Sequence, residues 1–286
     1  MVDHHEPFTR LLTQGMVLRD GAVMSKSKDN VVDPDQMIAR YGADTLRLYE
    51  MFVAPPEKEI EWTDSGLEGS FRFLTRVWRL VSALCPVVAG ASQNVLGTMP
   101  LDDAHRALRS KTHESIRRVS ADLYPRVHLN TAVSALMELV NDLYAFCERH
   151  ALAPHTATAR RGTRADQVPA ETRAVLGEAS EALVLMLSPF TPHLCEELWE
   201  RLGHAGGLVT VAWPTFDTEV ARADEIVVPV QVNGKLRARL TVPADVSEED
   251  LRAAALAEPS VQTRTAGKTV ARVVVVRRTL VNIVVT

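Results

Sequence analysis

The sequence predicts a mainly α chain with a small C-terminal α/β domain, the helices forming an antiparallel bundle. Three observations carry that prediction. Leu67, Phe71, Leu74, Trp78, Val81 and Cys85 recur at the spacing of one apolar helix face. Leu129, Val133, Leu136, Val140, Leu143 and Cys147 repeat it. Near Asp224 the composition shifts to two β-rich runs, Val227 to Val232 and Lys235 to Val242. They are joined by Asn233-Gly234, a dipeptide that tolerates the positive φ angles of a type I′ hairpin turn.

The elements follow in order. Gly15 and Gly21 bracket the apolar run Met16-Val17-Leu18, which predicts a short strand pair. The loop Met24-Ser25-Lys26-Ser27-Lys28-Asp29-Asn30 comes next, and Asp33-Pro34-Asp35 is a helix start. Pro34 to Tyr41 reads as a helix stopped by Gly42, and Ala43 to Val53 as a second, stopped before Pro55-Pro56. Ile60 and Trp62 alternate with Glu59 and Glu61, which gives a brief extended segment. Thr63-Asp64-Ser65 supplies N-cap side chains to the Leu67 helix, which is expected to stop at Pro86. The stretch from there to Met99 is rich in turn formers and predicts a loop.

A second long helix covers Ala104 to Leu123, and Pro125 breaks the chain before the Leu129 helix. Residues 151–168 carry Arg160, Arg161 and Arg164 among alanines and threonines with no apolar stripe, which predicts a solvated loop. Helical periodicity resumes over Glu171 to Leu187, ends at Ser188-Pro189, and is followed by a shorter helix from Pro192 to Leu202 with Gly203 as its stop. In the terminal domain Ser247-Glu248-Glu249-Asp250 starts a short helix running to about Ala257, with acids at its positive end. Val270 to Val276 and Leu280 to Val285 are two further strands.

Composition narrows the classes of function. A chain of 286 residues with 46% hydrophobic content and a mean hydropathy of −0.03 has material for two or three domains. No apolar run approaches the roughly 18 residues of a membrane span, and the N-terminus has neither a basic nor an apolar signal region. A cytoplasmic location without membrane partners is expected. Cys85, Cys147 and Cys195 lie far apart in helical segments, as buried thiols do, and suggest neither a disulfide framework nor a metal cluster. The net charge of −4 excludes a globally basic nucleic-acid footprint, so any RNA contact must use local patches.

The loop at residues 24 to 30 places two ammonium groups and two hydroxyls between turn signals, a composition suited to a polyphosphate such as that of ATP. Lys26 is the candidate catalytic residue, since an ammonium on a short loop can stabilise charge developing on departing pyrophosphate. Met24, Ser25, Lys26, Ser27 and Lys28 are the candidate ATP-phosphate residues, with Asn30 capping a turn. Taken as bare composition, the same residues describe a soluble surface loop.

Met24-Ser25-Lys26-Ser27 followed by Asn30 resembles the second signature of the class I aminoacyl-tRNA synthetases, and the form Ser27-Lys28-Asp29-Asn30 looks leucyl. Val23 stands where that signature usually has its first lysine. The likeness extends through Phe8 to Val17, Tyr41-Gly42-Ala43-Asp44-Thr45-Leu46-Arg47, Ala54-Pro55-Pro56-Glu57-Lys58, Asn130-Thr131-Ala132 and Val232-Asn233-Gly234-Lys235. Essentially the whole chain is thus similar to the C-terminal third of bacterial leucyl-tRNA synthetases. The resemblance implies a remnant of a Rossmann-type catalytic domain with its signature loop and stem-contact region over 1–66. It further implies a helical tRNA-binding domain of the class I anticodon-binding type over 67–222, and a C-terminal α/β tRNA-binding domain over 223–286.

The implied reaction is ATP-dependent attachment of leucine to tRNA(Leu), with ATP as substrate, Mg2+, and no permanently bound cofactor. The first, His-Ile-Gly-His-like signature, a leucine pocket and the threonine-rich editing insertion do not occur in these residues, and His4-His5 reads as a solvated pair. The chain by itself is therefore not expected to form leucyl-adenylate, and an N-terminal catalytic half is an expected partner. A different class of function is a stand-alone, non-catalytic tRNA- or RNA-binding protein derived from a synthetase.

Candidate tRNA contacts are cationic. Arg72, Arg76 and Arg79 share the polar side of the Leu67 helix, and Arg106, Arg109, Lys111, Arg117 and Arg118 crowd the next. Of these Arg76, Arg79, Arg117 and Arg118 are singled out to neutralise phosphates, against the alternative of a solvated helix face. In the hairpin the period of two places Lys235, Arg237 and Arg239 on one face, with Arg272, Arg277 and Arg278 as an extension. Cations on an edge strand also serve simply to block aggregation.

Overall fold

A computed structural model describes residues 8, 10–91, 96–152, 165–221, 225–243, 246–276 and 279–285. It is mostly helical with two small sheets, and it divides into two units, Met1–Ala221 and Arg222–Thr286. No helix is long and apolar enough to cross a membrane among the described residues.

The first unit begins with strands β1 (Val17–Arg19), β2 (Ala22–Val23) and β3 (Ile60–Glu61) in the order β2-β1-β3. Asp20 and Gly21, at φ 56° and 71°, make the tight turn of the antiparallel β1–β2 pair, and β3 joins β1 in parallel. Gly15 admits no side chain, because a Cβ there would lie 2.0 Å from the Lys58 carbonyl oxygen. That close approach, with the Gly15 N–H donating to the Pro56 carbonyl at 2.9 Å, ties the segment before β1 to the segment before β3.

Helices α1 (Pro34–Tyr41) and α2 (Ala43–Phe52) follow the predicted spans, and the Asp33 side chain caps the first by accepting from Asp35 N. Tyr49 of α2 packs edge-on against Trp62 at 5.0 Å, and its hydroxyl accepts from the Thr63 N–H at 2.9 Å. Two bonds pin α2 to the chain at residues 189–194. Arg47 donates to the Pro189 carbonyl at 3.1 Å, and the Asp44 carboxylate accepts from the Leu194 N–H at 2.6 Å.

Five helices then share one core: α3 (Asp64–Val88), α4 (Asp103–Ala121), α5 (Leu129–Arg149), α6 (Ala170–Leu187) and α7 (Pro192–Arg201). Pro86 does not end α3, contrary to the sequence expectation. An interior proline costs roughly 3 kcal/mol, but it falls in the last turn, and burial of Val87 and Val88 returns about 1.5–3 kcal/mol each. Arg173 closes the helix end by donating to the Val87 and Ala89 carbonyls at 3.0 and 2.8 Å. The buried face of α3 is also wider than the predicted stripe. Phe73, Val77, Leu80 and Leu84 lie deep because α2, α5, α6 and α7 all pack on this helix, while Phe71 on the edge of that face stays 43% exposed.

α6 is buried nearly all round and contacts α3, α4, α5 and α7, so it is the central helix. Cys147 and Cys195 are fully buried and Cys85 only partly, and all three are free. Burial pushes the Cys147 and Cys195 thiols up to about 12. The predicted loops are not wholly solvated, since Leu96 and Val168 are buried; residues 92–95 and 153–164 lie outside the described residues.

The second unit is a four-stranded sheet, β4 (Glu225–Val232), β5 (Lys235–Pro243), β6 (Val270–Val276) and β7 (Leu280–Val285), in the order β5-β4-β7-β6. The β4–β5 turn has Asn233 at φ 50° and Gly234 at φ 77°, as a type I′ turn requires. Val228, Val230, Val232, Val281 and Ile283 form an apolar face covered by α8 (Glu248–Ala257) and by a helix the sequence did not reveal, α9 (Pro259–Thr265). α9 buries only Val261, too little to leave a periodic signal.

Candidate functional site

Lys26–Lys28 form a single 3-10 turn whose conformation is set by its neighbours. The Ser25 hydroxyl accepts from the Ser27 N–H at 3.3 Å and lies 2.8 Å from the Ser27 hydroxyl. The Ser25 N–H donates to Asn30 Oδ1 at 2.8 Å, and Asn30 Nδ2 faces the carbonyls of Arg19, Ala22 and Val23 at 3.4–3.5 Å. Asn30 is therefore more than a turn cap, because one amide joins the loop to the β1–β2 hairpin. Asp29, at φ 51°, closes the turn in the left-handed region, where Asp is among the tolerated residues.

The side chains of Lys26, Ser27 and Lys28 are exposed, while Met24 and Ser25 are half-buried. Among the described residues neither ammonium pairs with a carboxylate, which leaves both free for an anion. Val23 pairs with Leu18 across the hairpin and adds no charge to the loop. His4 and His5 lie outside the described residues.

The helical cations separate by what holds them. Arg118 donates to Glu138 at 2.7 Å, and Lys111 reaches the same carboxylate at 2.7 Å, so two helix cations share one acid on α5. The Glu138 hydrogen bond raises the Arg118 pKa. For Glu138 itself burial acts upward, but the bonds from Arg118 and Lys111 outweigh it and leave the carboxyl below its usual value. Arg109 forms a two-pronged bond with Glu178 at 2.8 and 3.1 Å, and Arg106 pairs with Asp103. Arg76 donates to Asn141 at 2.8 Å and lies over the Tyr144 ring at 5.1 Å, which makes it a tie between α3 and α5. Arg72, Arg79 and Arg117 are exposed, and among the described residues none of them makes an ion pair. The four singled-out arginines thus divide into Arg79 and Arg117, which make no ion pair among the described residues, and Arg76 and Arg118, which are engaged.

The hairpin corrects the one-face expectation. The β4–β5 register shifts between Val230 and Gln231, leaving Arg237 as a bulge residue without a partner of its own. Lys235 lies opposite Val232, on the side of the sheet that carries the core, whereas Arg239 lies opposite Pro229 on the other side. All three side chains remain exposed at the end or along the edge of β5. Arg272 does not extend them, since it is on β6 at the opposite edge of the sheet; Arg277 and Arg278 lie outside the described residues.

Two polar ties had no sequence signal. Glu178 is reached by Arg109 and by His113 Nε2 at 3.2 Å, and His113 Nδ1 accepts from the Asp217 N–H at 3.0 Å, which fixes the ring tautomer. Trp213 donates to the Ser120 hydroxyl at 2.8 Å, so residues 213–217 run as a strap along α4. Their partners are 93 and 104 positions away, beyond any local pattern.

Two family models match the sequence. One described as anticodon-binding domain of tRNA ligase covers residues 105–252, and one described as tRNA synthetases class I (I, L, M and V) covers residues 1–63. The chain is 48% identical over 281 residues to the leucine--tRNA ligase of Syntrophobacter fumaroxidans, a match that covers 98% of this chain and 32% of that protein. It is 47% identical over 283 residues to that of Geotalea uraniireducens, covering 99% of this chain and 32% of the relative. Among solved structures it resembles the ternary complex of Agrobacterium radiobacter K84 agnB2 LeuRS with tRNA and LeuAMS, with a TM-score of 0.71 and 31% identity over 98% of this chain and 33% of that one. The chain spans about a third of the length of the curated relatives it matches, and it aligns with their C-terminal part.

Proposed function

The chain belongs to the tRNA ligase family defined by the anticodon-binding domain, and on that premise we propose that it supplies the ATP-phosphate loop and the tRNA-binding domains of a leucine--tRNA ligase. The observation that carries this reading is the loop itself. Lys26 and Lys28 are held on a turn whose geometry Asn30 and Ser25 determine, with both ammonium groups exposed and free of carboxylates among the described residues. Such a loop can meet ATP phosphates while leucine attacks the α-phosphorus and pyrophosphate leaves, and Lys26 stabilises the charge that builds there. Leucine then passes to the terminal ribose of tRNA(Leu). ATP with Mg2+ is the substrate of the first step, and the Ser25, Ser27 and Lys28 side chains share in holding its phosphates. This reading carries a cytoplasmic location with it.

Residues 1–66 are in this reading the end of a Rossmann-type catalytic domain with its stem-contact region. The helices of 67–222 are an antiparallel bundle of the class I anticodon-binding type, and 223–286 is a tRNA-binding α/β domain. Exposure of Leu11 at 86%, Met16 at 52% and Val31 at 45% supports an N-terminal catalytic half as the partner of the first segment. Arg79 and Arg117 on the bundle, and Lys235, Arg237 and Arg239 on the hairpin, are the cations best placed to meet tRNA phosphates.

The test joins the full chain to the preceding two thirds of a relative's ligase and measures leucine-dependent exchange of pyrophosphate into ATP. Exchange should appear and fall by roughly a hundredfold or more in Lys26→Ala, the loss typical of removing one charge-stabilising donor. Equal rates with and without Lys26 would overturn its role.

A further inference from the structure

Helices α1, α2, α3 and α7 enclose a groove of about 420 Å3 that none of the loop or cation contacts above uses. Its walls include Tyr41, Phe71 and Trp78, with Asp44, Thr75 and His193 among its polar lining. Tyr41 and Phe71 meet edge to face at 5.7 Å, and Phe71 keeps 43% of its surface exposed although it belongs to a helix that buries most of its apolar residues. Two guanidinium groups lie against these walls, Arg40 at 4.8 Å from the Tyr41 ring centre and Arg201 at 4.4 Å from that of Trp78.

The polar lining decides what fits. Asp44 is only 12% exposed, and its carboxylate accepts from the Leu194 N–H at 2.6 Å and from His193 Nδ1 at 2.8 Å. The positive ends of α2 and α7 thus already face a fixed carboxylate, and a phosphate entering the groove would meet a like charge. The Thr75 hydroxyl spends its hydrogen on the Phe71 carbonyl at 2.9 Å and offers the ligand lone pairs only. A flat ring with hydrogen-bond donors on its edge and an anionic backbone left outside satisfies all three constraints: aromatic walls, acceptors within, guanidinium groups against the walls.

We propose that this groove takes an unstacked nucleobase of the bound tRNA, stacked on Phe71 and Trp78 with its edge toward Asp44 and its phosphates toward Arg40 and Arg201. This rests on the tRNA-docking reading above and adds to it a contact that is not electrostatic. Phosphate contacts give affinity that falls steeply with salt, whereas a stacked base contributes a term that salt leaves alone.

The experiment measures binding of the full chain to a tRNA(Leu) transcript over a series of salt concentrations, for the wild type, Phe71→Ala and Phe71→Tyr. Phe71→Ala should weaken binding by about 5- to 100-fold, the range of one base–aromatic stack, with the salt slope unchanged, and Phe71→Tyr should bind as the wild type does. Because Phe71 is partly exposed and outside the deep core, thermal unfolding should confirm that the alanine variant is folded. Wild-type affinity in Phe71→Ala would overturn the groove while leaving tRNA docking intact. No binding by the wild type would remove the docking reading, and the groove with it. A loss in Phe71→Ala that Phe71→Tyr does not recover would also count against stacking.

Discussion

The backbone N–H of Ser25 donates to the Oδ1 of Asn30 at 2.8 Å, so the phosphate-loop candidate is held at its base by a residue five positions on. Through Nδ2 the same amide faces three hairpin carbonyls. Replacing Asn30 with Ala removes all of these at once and leaves the Ser25 N–H without its partner. The expected result is a local loss of about 1–3 kcal/mol, read as faster amide exchange at Ser25 and Lys28 with little change in the global unfolding temperature. Unaltered exchange at Ser25 would show that the turn holds itself.

Glu178 is the polar centre of the bundle, and it makes stability depend on acid. Burial pushes its carboxyl up, but hydrogen bonds from His113 and Arg109 prevail, and its pKa lies below the ordinary 4.5. The folded form therefore binds this proton less readily than the unfolded form. Its contribution is fully present above about pH 4.5 and is lost as pH falls through the lower folded value. Glu178→Gln should cost roughly 2–3 kcal/mol at pH 7 and flatten the acid limb of the stability curve. Urea unfolding from pH 3 to 7 measures both; parallel curves for variant and wild type would contradict the assignment.

Cations that look alike in sequence should behave differently in binding. Arg79→Gln and Arg117→Gln should each weaken tRNA binding and lower the salt slope by about one for each phosphate no longer neutralised. Arg118→Gln should instead lower stability by up to about 1 kcal/mol, since its partner Glu138 is on α5 and partly exposed, and leave the slope unchanged. For the hairpin, replacing Lys235, Arg237 and Arg239 together with Gln should flatten the slope. If it does not, edge protection of β5 is their remaining role.

How much could be read from the sequence follows from how local each determinant is. Helix α1, the hairpin turn and the strands β6 and β7 are set by residues within a few positions of one another, and they occupy the spans that periodicity and turn chemistry predict. The end of α3 is not legible because its determinants are distant: Val87 and Val88 are buried by the bundle, and Arg173 caps the helix from 84 and 86 positions away. α9 leaves no sequence signal because one buried valine makes no pattern. In the site, the loop residues and their order were legible, and the Asn30 tie needed only the hairpin to be in place. The pairing of Arg118 and Lys111 with Glu138 was not legible, nor was the bulge that puts Lys235 and Arg239 on opposite sides of β5, because partner and register are tertiary facts.

The most direct measurement of the central claim is competition binding of the full chain with tRNA(Leu) against tRNAs for methionine and valine, at one fixed salt concentration. The account predicts that the chain binds tRNA and that tRNA(Leu) displaces the other two at lower concentration. Absence of binding, or preference for a tRNA of another amino acid, would contradict it.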